Sequence, residues 1–242
     1  MSAIRIENIS KKYRDVTAVD RLSLTVAEGE LFSLLGVNGA GKTTTIKMLS
    51  CLTAPSEGDA FLLGKSICRE SAAVKALIAV SPQETAVAPA LTARENLALM
   101  CGVHGLSRER SDAKISELTA LLGLDGIMNR KAGKLSGGWQ RRLSIAMALV
   151  SEPKILFLDE PTLGLDVIAR SELWDLIRSL KGKITIVLTT HYMEEAEALS
   201  DRVAIMRDGR LLICDTPDAI KATAGVESFE QAFINIVKGV RE

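Results

Sequence analysis

The feature that most constrains the fold of this chain is a glycine-rich loop between a short apolar segment and a helical pattern. Leu31–Leu35 reads LFSLL, an apolar run typical of a strand buried on both faces. Residues 36–43 read GVNGAGKT and match the full pattern G-x-x-x-x-G-K-[ST]. Residues 44–52 then predict a helix. A strand, this loop and a helix in that order predict an α/β fold with a phosphate-binding loop.

The residue types of the loop indicate how it binds phosphate. We expect its three glycines to adopt backbone conformations that other residues avoid, which turns successive N–H groups inward. Lys42 is expected to reach the β- and γ-phosphates, and the Thr43 hydroxyl to ligate Mg²⁺. The predicted phosphate-binding residues are Gly36, Val37, Asn38, Gly39, Ala40, Gly41, Lys42, Thr43 and Thr44.

A second apolar strand ends in two carboxylates, in the sequence ILFLDE at residues 155–160. A carboxylate at that position can hold Mg²⁺ opposite Thr43, usually through water, and we assign this role to Asp159. Glu160 is then placed to orient or deprotonate an attacking water. Such a charged strand end is common by itself, but after a phosphate-binding loop it indicates a hydrolytic site.

Further apolar segments predict the rest of an α/β core. Alternating apolar residues at 4–9 and 22–26 predict antiparallel strands. Buried strands are predicted at residues 77–80, 155–158, 184–189 and 203–206.

Two regions have a helical rather than a strand pattern. Residues 89–150 predict a helical insertion, with helices at 92–104 and 108–122. Near the end of the chain, residues 228–240 place apolar side chains on one helical face, which we expect to pack against the chain's own core rather than on a partner. These apolar residues are Phe229, Phe233, Ile236, Val237 and Val240.

The composition limits the partners and the compartment. The 30 basic and 30 acidic residues give a formal net charge of zero, which disfavours nucleic acid as the main partner. The four cysteines form no C-x-x-C pair and predict free thiols in a reducing cytosol. No apolar run reaches the roughly 18 residues of a membrane span. We therefore expect a soluble cytoplasmic protein that meets a membrane only through a partner.

Residues 135–142, LSGGWQRR, resemble the signature motif of the ABC ATPases, and they precede the LDEP strand as in that family. The resemblance extends over about residues 4–215. It implies that Tyr13 stacks on adenine, that Gln83 senses the metal and the attacking water, and that His191 contacts the γ-phosphate. The segment LGLD at 163–166 resembles the D-loop of that family, which implies that Asp166 lies at the nucleotide site.

The signature residues suggest a second phosphate site. Ser136 can cap a helix that begins at Gly137, and Gly137 and Gly138 would let its N–H groups approach an anion closely. A single nucleotide has no evident use for two such sites on one chain. The family resemblance implies a head-to-tail dimer in which each ATP lies between one phosphate-binding loop and the partner's signature. Trp139 stands where the family more often has Gln, which puts a side-chain contact from that position in doubt. Leu163 replaces a more usual small polar residue of the D-loop, which we expect to work with altered detail because Asp166 remains.

The resemblance also implies the architecture: an ABC-type P-loop NTPase core with a mixed sheet, an N-terminal antiparallel β subdomain and an inserted α-helical subdomain. The expected single domain covers residues 2–242, with the core at about 2–88 and 151–225, the insert at 89–150 and a C-terminal helix at 226–242. Residues 84–100 form either a groove for a helix of a membrane subunit or part of the packing of the insert.

The sequence HYMEEAEALSDRVAIMRDGRL looks like the subgroup that serves bacterial drug, antibiotic and lipid or oligosaccharide exporters. The implied protein is an Mg-dependent ATPase on the inner face of the cell membrane. Its implied partners are a second copy or a related ATPase subunit, and a polytopic permease. The alternative is a non-transport ABC ATPase that acts on nucleic acid or ribosomes. The compact insert, the single ATPase domain and the neutral charge disfavour it.

Overall fold

The structure is a computed structural model that describes residues 2–239, so Val240 and the end of the predicted C-terminal helix lie outside the described residues. The strands form a four-stranded sheet of order β2-β1-β4-β5 and a six-stranded sheet of order β10-β9-β3-β8-β7-β6. Their bounds are β1 (Ser2–Tyr13), β2 (Val16–Ala27), β3 (Leu31–Leu35), β4 (Glu57–Leu62), β5 (Lys65–Ser66), β6 (Ile78–Ser81), β7 (Ile155–Asp159), β8 (Thr185–Thr190), β9 (Arg202–Arg207) and β10 (Arg210–Asp215).

Helices follow most strands of the larger sheet, and the sequence pattern predicted those that come after β3 and after β6. Their bounds are α1 (Lys42–Leu49), α2 (Ser71–Lys75), α3 (Ala93–Val103), α4 (Arg108–Leu122), α5 (Gly137–Leu149), α6 (Val167–Leu180), α7 (Met193–Leu199), α8 (Pro217–Ala224) and α9 (Phe229–Gly239). None of the helices within residues 2–239 is long and apolar enough to cross a membrane.

The larger sheet is mixed, and β3 lies near its centre. Strands β9, β3, β8, β7 and β6 are mutually parallel, and β10 pairs antiparallel with β9. All five residues of β3 and of β7 are buried, which explains their apolar runs. Because parallel strands end at the same edge of a sheet, the loops after β3, β7 and β8 meet there. This edge positions the site.

The smaller sheet is antiparallel, as expected for the N-terminal β subdomain, and it packs across α1 onto the larger sheet. Ile4 and Leu22 of the smaller sheet share one buried core with Ile46 of α1 and with Phe32 and Phe157 of the larger sheet. The helix that follows the phosphate-binding loop is therefore held on two sides. It ends at Leu49, three residues before the predicted end at 52, because Cys51 adopts a positive φ of 56°.

All residues between β6 and β7 are described, and none of them forms a strand. The predicted helices at 92–104 and 108–122 are confirmed as α3 and α4. A capping box between Thr92 and Glu95 begins α3, and Ser107 caps α4. Helices α3, α4 and α5 pack through a common core that includes Leu97, which is 0% exposed. Residue limits of 89–150 for a helical subdomain remain a proposal.

The C-terminal helix packs against the chain's own core, as predicted for its apolar face. Phe229 and Phe233 of α9 are 2% and 8% exposed and lie in one cluster with Leu35 and Ile205. Ile236 and Val237 are partly buried against the same cluster. Seven elements have no counterpart among the elements predicted from the sequence, namely β4, β5, β10, α2, α6, α7 and α8.

Candidate functional site

An open cleft of about 700 Å³ lies where the carboxyl ends of the parallel strands meet, the usual position of a ligand site in such a sheet. Five loops of the larger sheet, which follow β3, β6, β7, β8 and β9, supply most of its polar side chains, and the β1–β2 hairpin supplies one wall. The lining residues are Val16, Thr17, Ala18, Asn38, Gly39, Ala40, Gly41, Lys42, Thr43, Thr44, Gln83, Glu160, Leu163, His191 and Asp208.

The phosphate-binding loop wraps around the start of α1, and its glycines serve two different needs. Gly39 and Gly41 have φ values of 84° and 99°, which are the left-handed conformations predicted for them. Gly36 does not share this conformation, so that part of the prediction is wrong. Position 36 requires glycine because it has no room for a side chain. A Cβ atom on Gly36 would overlap the carbonyl oxygen of Met206 in β9 and lie 2.8 Å from the Cβ atom of Ala40.

Lys42 is the cation at the centre of the cleft, and its side chain is only 4% exposed. Its Nζ atom donates to the carbonyl oxygens of Gly36 at 2.7 Å and Val37 at 3.2 Å, and it lies 3.6 Å from a carboxylate oxygen of Glu160. Burial lowers the pKa of Lys42 from its ordinary value, and the negative charge of Glu160 opposes that shift. The loop thus folds around a nearly dehydrated ammonium group that an anionic ligand would stabilise.

Thr43 and Asp159 bring two hard oxygen donors together, one at the start of α1 and the other at the end of β7. The Thr43 hydroxyl donates to Asp159 Oδ1 at 3.1 Å, and the Thr189 hydroxyl donates to the same oxygen at 2.5 Å. These donors suit Mg²⁺, which accepts few protein ligands and keeps waters or phosphates in its remaining positions. Residues 2–239 contain no cluster of three or more His, Cys, Asp or Glu side chains that could hold a metal by themselves.

Glu160 lies directly after β7 in a backbone conformation that is unusual for glutamate, with a φ of 47°. Its N–H donates to the carbonyl and hydroxyl oxygens of Thr189 at 3.1 Å and 3.0 Å, which holds this turn against β8. The side chain is 10% exposed, and it lies between the Lys42 ammonium and His191, whose Nδ1 atom is 3.3 Å from Glu160 Oε2. Strained backbone of this kind is typical of functional sites.

Of the other predicted residues, Gln83 lines the cleft and Tyr13 does not. Gln83 is exposed just after β6. Tyr13 is 46% exposed at the end of β1, with the Lys11 ammonium 5.2 Å from its ring centroid. Its pairing partner across the hairpin, Val16, lines the cleft instead. Adenine stacking by Tyr13 stays a prediction.

Val16 and Asp208 are two lining residues that the sequence analysis missed. Both lie in hairpins that contact the phosphate-binding loop. The Gly209 N–H donates to the carbonyl oxygen of Ala40, and a Cβ atom on Gly41 would overlap the carbonyl oxygen of Ala18 in β2. The Asp-Gly pair at 208–209, a common hairpin turn, was the available signal for one of them.

The signature residues lie outside the cleft, at the start of α5. The helix begins at Gly137 as predicted, but the exposed Ser136 makes no side-chain capping hydrogen bond, so its predicted capping role is wrong. Gly138 packs closely on Ala169, since a Cβ atom on it would lie 3.0 Å from that side chain. Asp166 also lies outside the cleft. Its carboxylate caps α6 by accepting from the Ala169 N–H at 2.9 Å.

A second exposed surface therefore joins the N-termini of α5 and α6. Val167 and Ile168 on this surface are 76% and 73% exposed, which is unusual for large aliphatic side chains placed side by side. Trp139 is partly buried on the helical core, and the Arg142 guanidinium lies 4.9 Å from its ring centroid. Leu163 lines the cleft.

A family model and several known proteins each match more than half of this chain. The ABC transporter family model matches residues 19–163. The chain is 41% identical to the daunorubicin resistance ATP-binding protein DrrA3 of Streptomyces coeruleorubidus over 93% of this chain and 71% of that protein. It is 42% identical to the Nod factor export ATP-binding protein I of Paraburkholderia xenovorans, over 92% of this chain and 73% of that protein.

Two further comparisons extend to a larger protein and to a solved structure. The chain is 39% identical to the human phospholipid-transporting ATPase ABCA3 over 93% of its own length, but it spans only 13% of that protein. A solved dimer of the ATP-binding cassette MJ0796, in a post-hydrolysis state with ADP and phosphate, superposes with a TM-score of 0.79 at 27% identity. That match covers 88% of this chain and 98% of the other.

Proposed function

The chain belongs to the ABC transporter family, and we propose that it binds Mg-ATP in the cleft and hydrolyses it as a dimer to drive export by a membrane subunit. One observation carries the proposal. The chain has a phosphate-binding cleft and, on a separate surface, a glycine-rich helix N-terminus that does not line it. Each half needs a complement that a second copy or a related subunit can supply.

Mg²⁺ would be held by the Thr43 hydroxyl and the Asp159 carboxylate, which already lie 3.1 Å apart, and by Gln83, which also lines the cleft. The ion would offset negative charge on the phosphates. Lys42 would exchange its contacts with the loop carbonyls for phosphate oxygens. The loop N–H groups and the start of α1 would bind the same phosphates.

Glu160 would orient the attacking water and accept its proton, because its carboxylate is held at the floor of the cleft between Lys42 and His191. His191 would contact the γ-phosphate and fix the Glu160 side chain. In-line attack on the γ-phosphoryl group then needs little covalent chemistry from the protein beyond this positioning.

The surface formed by Ser136–Gly138 and by the exposed Val167 and Ile168 would close on the nucleotide of the second subunit. Its exposed aliphatic side chains lose water on closure, and the α5 N-terminus gains a phosphate group. Binding of ATP and dimerisation are then linked, since the nucleotide contacts both subunits. The MJ0796 cassette, which superposes on this chain, is itself a dimer.

A membrane subunit would dock near residues 84–100. Leu97 of this segment is 0% exposed and packs the helical core, whereas Leu99 is 50% exposed, which supports a contact with a partner at Leu99. Val103, in the last turn of the same helix, is 69% exposed and extends the apolar surface. The direction of transport rests on the relative named for Nod factor export. The named relatives give no support to an action on nucleic acid or ribosomes.

The test is Glu160→Gln, which keeps the side-chain shape but cannot accept a proton. We expect ATP affinity to be retained, kcat to fall by about 10²- to 10⁴-fold, and a dimer to accumulate with Mg-ATP in light-scattering measurements. The control is Glu194→Gln, because the Glu194 side chain is 83% exposed. Normal hydrolysis by Glu160→Gln, or a monomer that demonstrably holds ATP, would contradict the proposal.

The exporter assignment has its own test in co-purification from membranes of cells that express the tagged full chain. A polytopic membrane protein that remains bound supports transport. Ribosomes or nucleic acid in its place would overturn the assignment.

A further inference from the structure

Arg141 in α5 is a buried cation that none of the roles above uses. It is 4% exposed, and its two terminal nitrogens donate to consecutive carbonyl oxygens, that of Pro82 at 2.6 Å and that of Gln83 at 2.6 Å. Within residues 2–239 its guanidinium forms no ion pair with a carboxylate. Burial lowers the pKa of Arg141, and the more distant charges of Asp159 and Glu195 oppose that shift.

A buried guanidinium without an ion pair is energetically unfavourable, because hydrogen bonds to neutral carbonyls replace only part of its lost hydration. A large apolar side chain would fill the same volume without that penalty. The gain from arginine is geometric: its planar group fixes two acceptors in one orientation. The position of those two acceptors therefore indicates what the residue does.

The acceptors belong to the segment that carries Gln83, whose side chain lines the cleft. The donor is in α5, whose first turn is formed by the signature glycines, and Ser136 precedes that turn. A second contact on the same face of α5 joins the hydroxyls of Ser81 and Ser144 at 3.1 Å. Within one chain, a few buried polar contacts thus connect the cleft that would bind one nucleotide with the surface that would close on the other nucleotide.

We propose that Arg141 is a positioning residue that couples the segment of Gln83 to the signature helix. A nucleotide that draws Gln83 toward the cleft would displace the carbonyl groups of Pro82 and Gln83. Because the Arg141 guanidinium is hydrogen-bonded to both, α5 would move with them. The orientation of Ser136–Gly138 at the second site would then depend on occupancy of the first. The inference rests on the proposed function, since it requires two nucleotide sites in a dimer.

The experiment uses Trp139 as a reporter, because it follows the signature glycines directly. The chain has two tryptophans, so Trp174→Phe leaves Trp139 as the only one. Mg-ATP is added to the full-length chain at a concentration where light scattering shows a monomer, and the emission of Trp139 is recorded. In this parent we expect an emission change that saturates with ATP binding.

Adding Arg141→Met or Arg141→Lys should abolish or reduce that change while ATP affinity stays within about twofold. Lysine keeps the charge but lacks the planar pair of donors, so it should restore the change only in part. The control is Arg130→Met, because Arg130 is an exposed arginine of the same helical region that also donates to a backbone carbonyl, that of Lys134 at 3.3 Å. It should behave like the parent.

A second measurement uses the chain with both tryptophans, so it does not depend on Trp174→Phe. The ATP dependence of hydrolysis should lose its cooperativity in Arg141→Lys, with a Hill coefficient near 1, and kcat should fall about tenfold. A residue that only stabilises the fold would lower the melting temperature and leave the Hill coefficient unchanged. Unaltered Trp139 response and cooperativity in the Arg141 variants would overturn the inference, as would a parent that shows no response to bound ATP. A wild-type chain that hydrolyses no ATP would instead contradict the proposed function.

Discussion

The Nδ1 atom of His191 lies 3.3 Å from Oε2 of Glu160, although the two residues follow different strands. The parallel pairing of β7 and β8 aligns Asp159 with Thr189, so the residues that follow each strand emerge side by side. Glu160 is held further by Lys42 on its other side. The carboxylate therefore has a defined position before any ligand contact.

His191→Ala should lower kcat by about 10²-fold, because a catalytic carboxylate that loses one of its neighbours is misplaced by the order of 1 Å. Steady-state ATPase measurements check this. His104→Ala is the control, since His104 is exposed in the helical region. Turnover by His191→Ala equal to that of the control would show that this contact is dispensable.

Lys42→Ala should weaken ATP binding by about 10- to 100-fold, the loss expected when a charged hydrogen-bond partner of the phosphates is removed. Fluorescent nucleotide titration measures the affinity. Lys47→Ala is a matched control, because Lys47 lies in the same helix and is exposed. If both variants bind ATP as tightly as the wild type, the assigned role of Lys42 is wrong.

Gly36→Ala should lower the free energy of unfolding by about 1–3 kcal/mol, since the added methyl group must force the loop away from the Met206 carbonyl in β9. Urea unfolding followed by circular dichroism measures the change. Gly126→Ala serves as the control, because a Cβ atom there meets no atom within 4 Å and its φ is not in the left-handed region. Equal stability of the two variants would mean that β9 does not approach the loop so closely.

Glu195 predicts a pH dependence of stability. Burial raises the pKa of this carboxyl above its ordinary value, while the hydrogen bond from the Trp174 indole N–H at 3.1 Å and the positive charge of Arg170 partly oppose the shift. Above about pH 4.3 the unfolded chain releases this proton and the folded chain keeps it. The folded state therefore binds more protons, and this group's contribution to stability falls as the pH rises toward its folded pKa.

Glu195→Gln keeps the shape of the side chain and removes its ionisation. The free energy of unfolding of this variant, relative to wild type, should therefore increase as the pH is raised from about 4 to 8. Urea denaturation across that range measures the difference. Glu194→Gln is the control, with an 83% exposed side chain that should give a nearly constant difference. A constant difference for Glu195→Gln would disprove the raised pKa.

The sequence predicted best those features that contiguous residues encode. The apolar run Leu31–Leu35 is a fully buried strand, and the predicted helix 108–122 has the bounds found for α4. One of the predictions that failed depended on distant atoms. Position 36 requires glycine because the Met206 carbonyl of β9 lies against it, and the sequence of the loop does not show that contact. Ser136 has the right residue type and position for a cap, yet its hydroxyl does not make one.

The sequence by itself determined the chemistry available to this protein, because a glycine-rich loop, its lysine and a carboxylate at a strand end have the same local functions wherever the chain places them. Only the tertiary structure decided which of these groups meet. The parallel register of the sheet brings Glu160 to His191 and Asp159 to Thr43, and it leaves the signature glycines on another surface. Such distances depend on the packing of strands and helices far apart in the chain, so no local pattern of residues contains them.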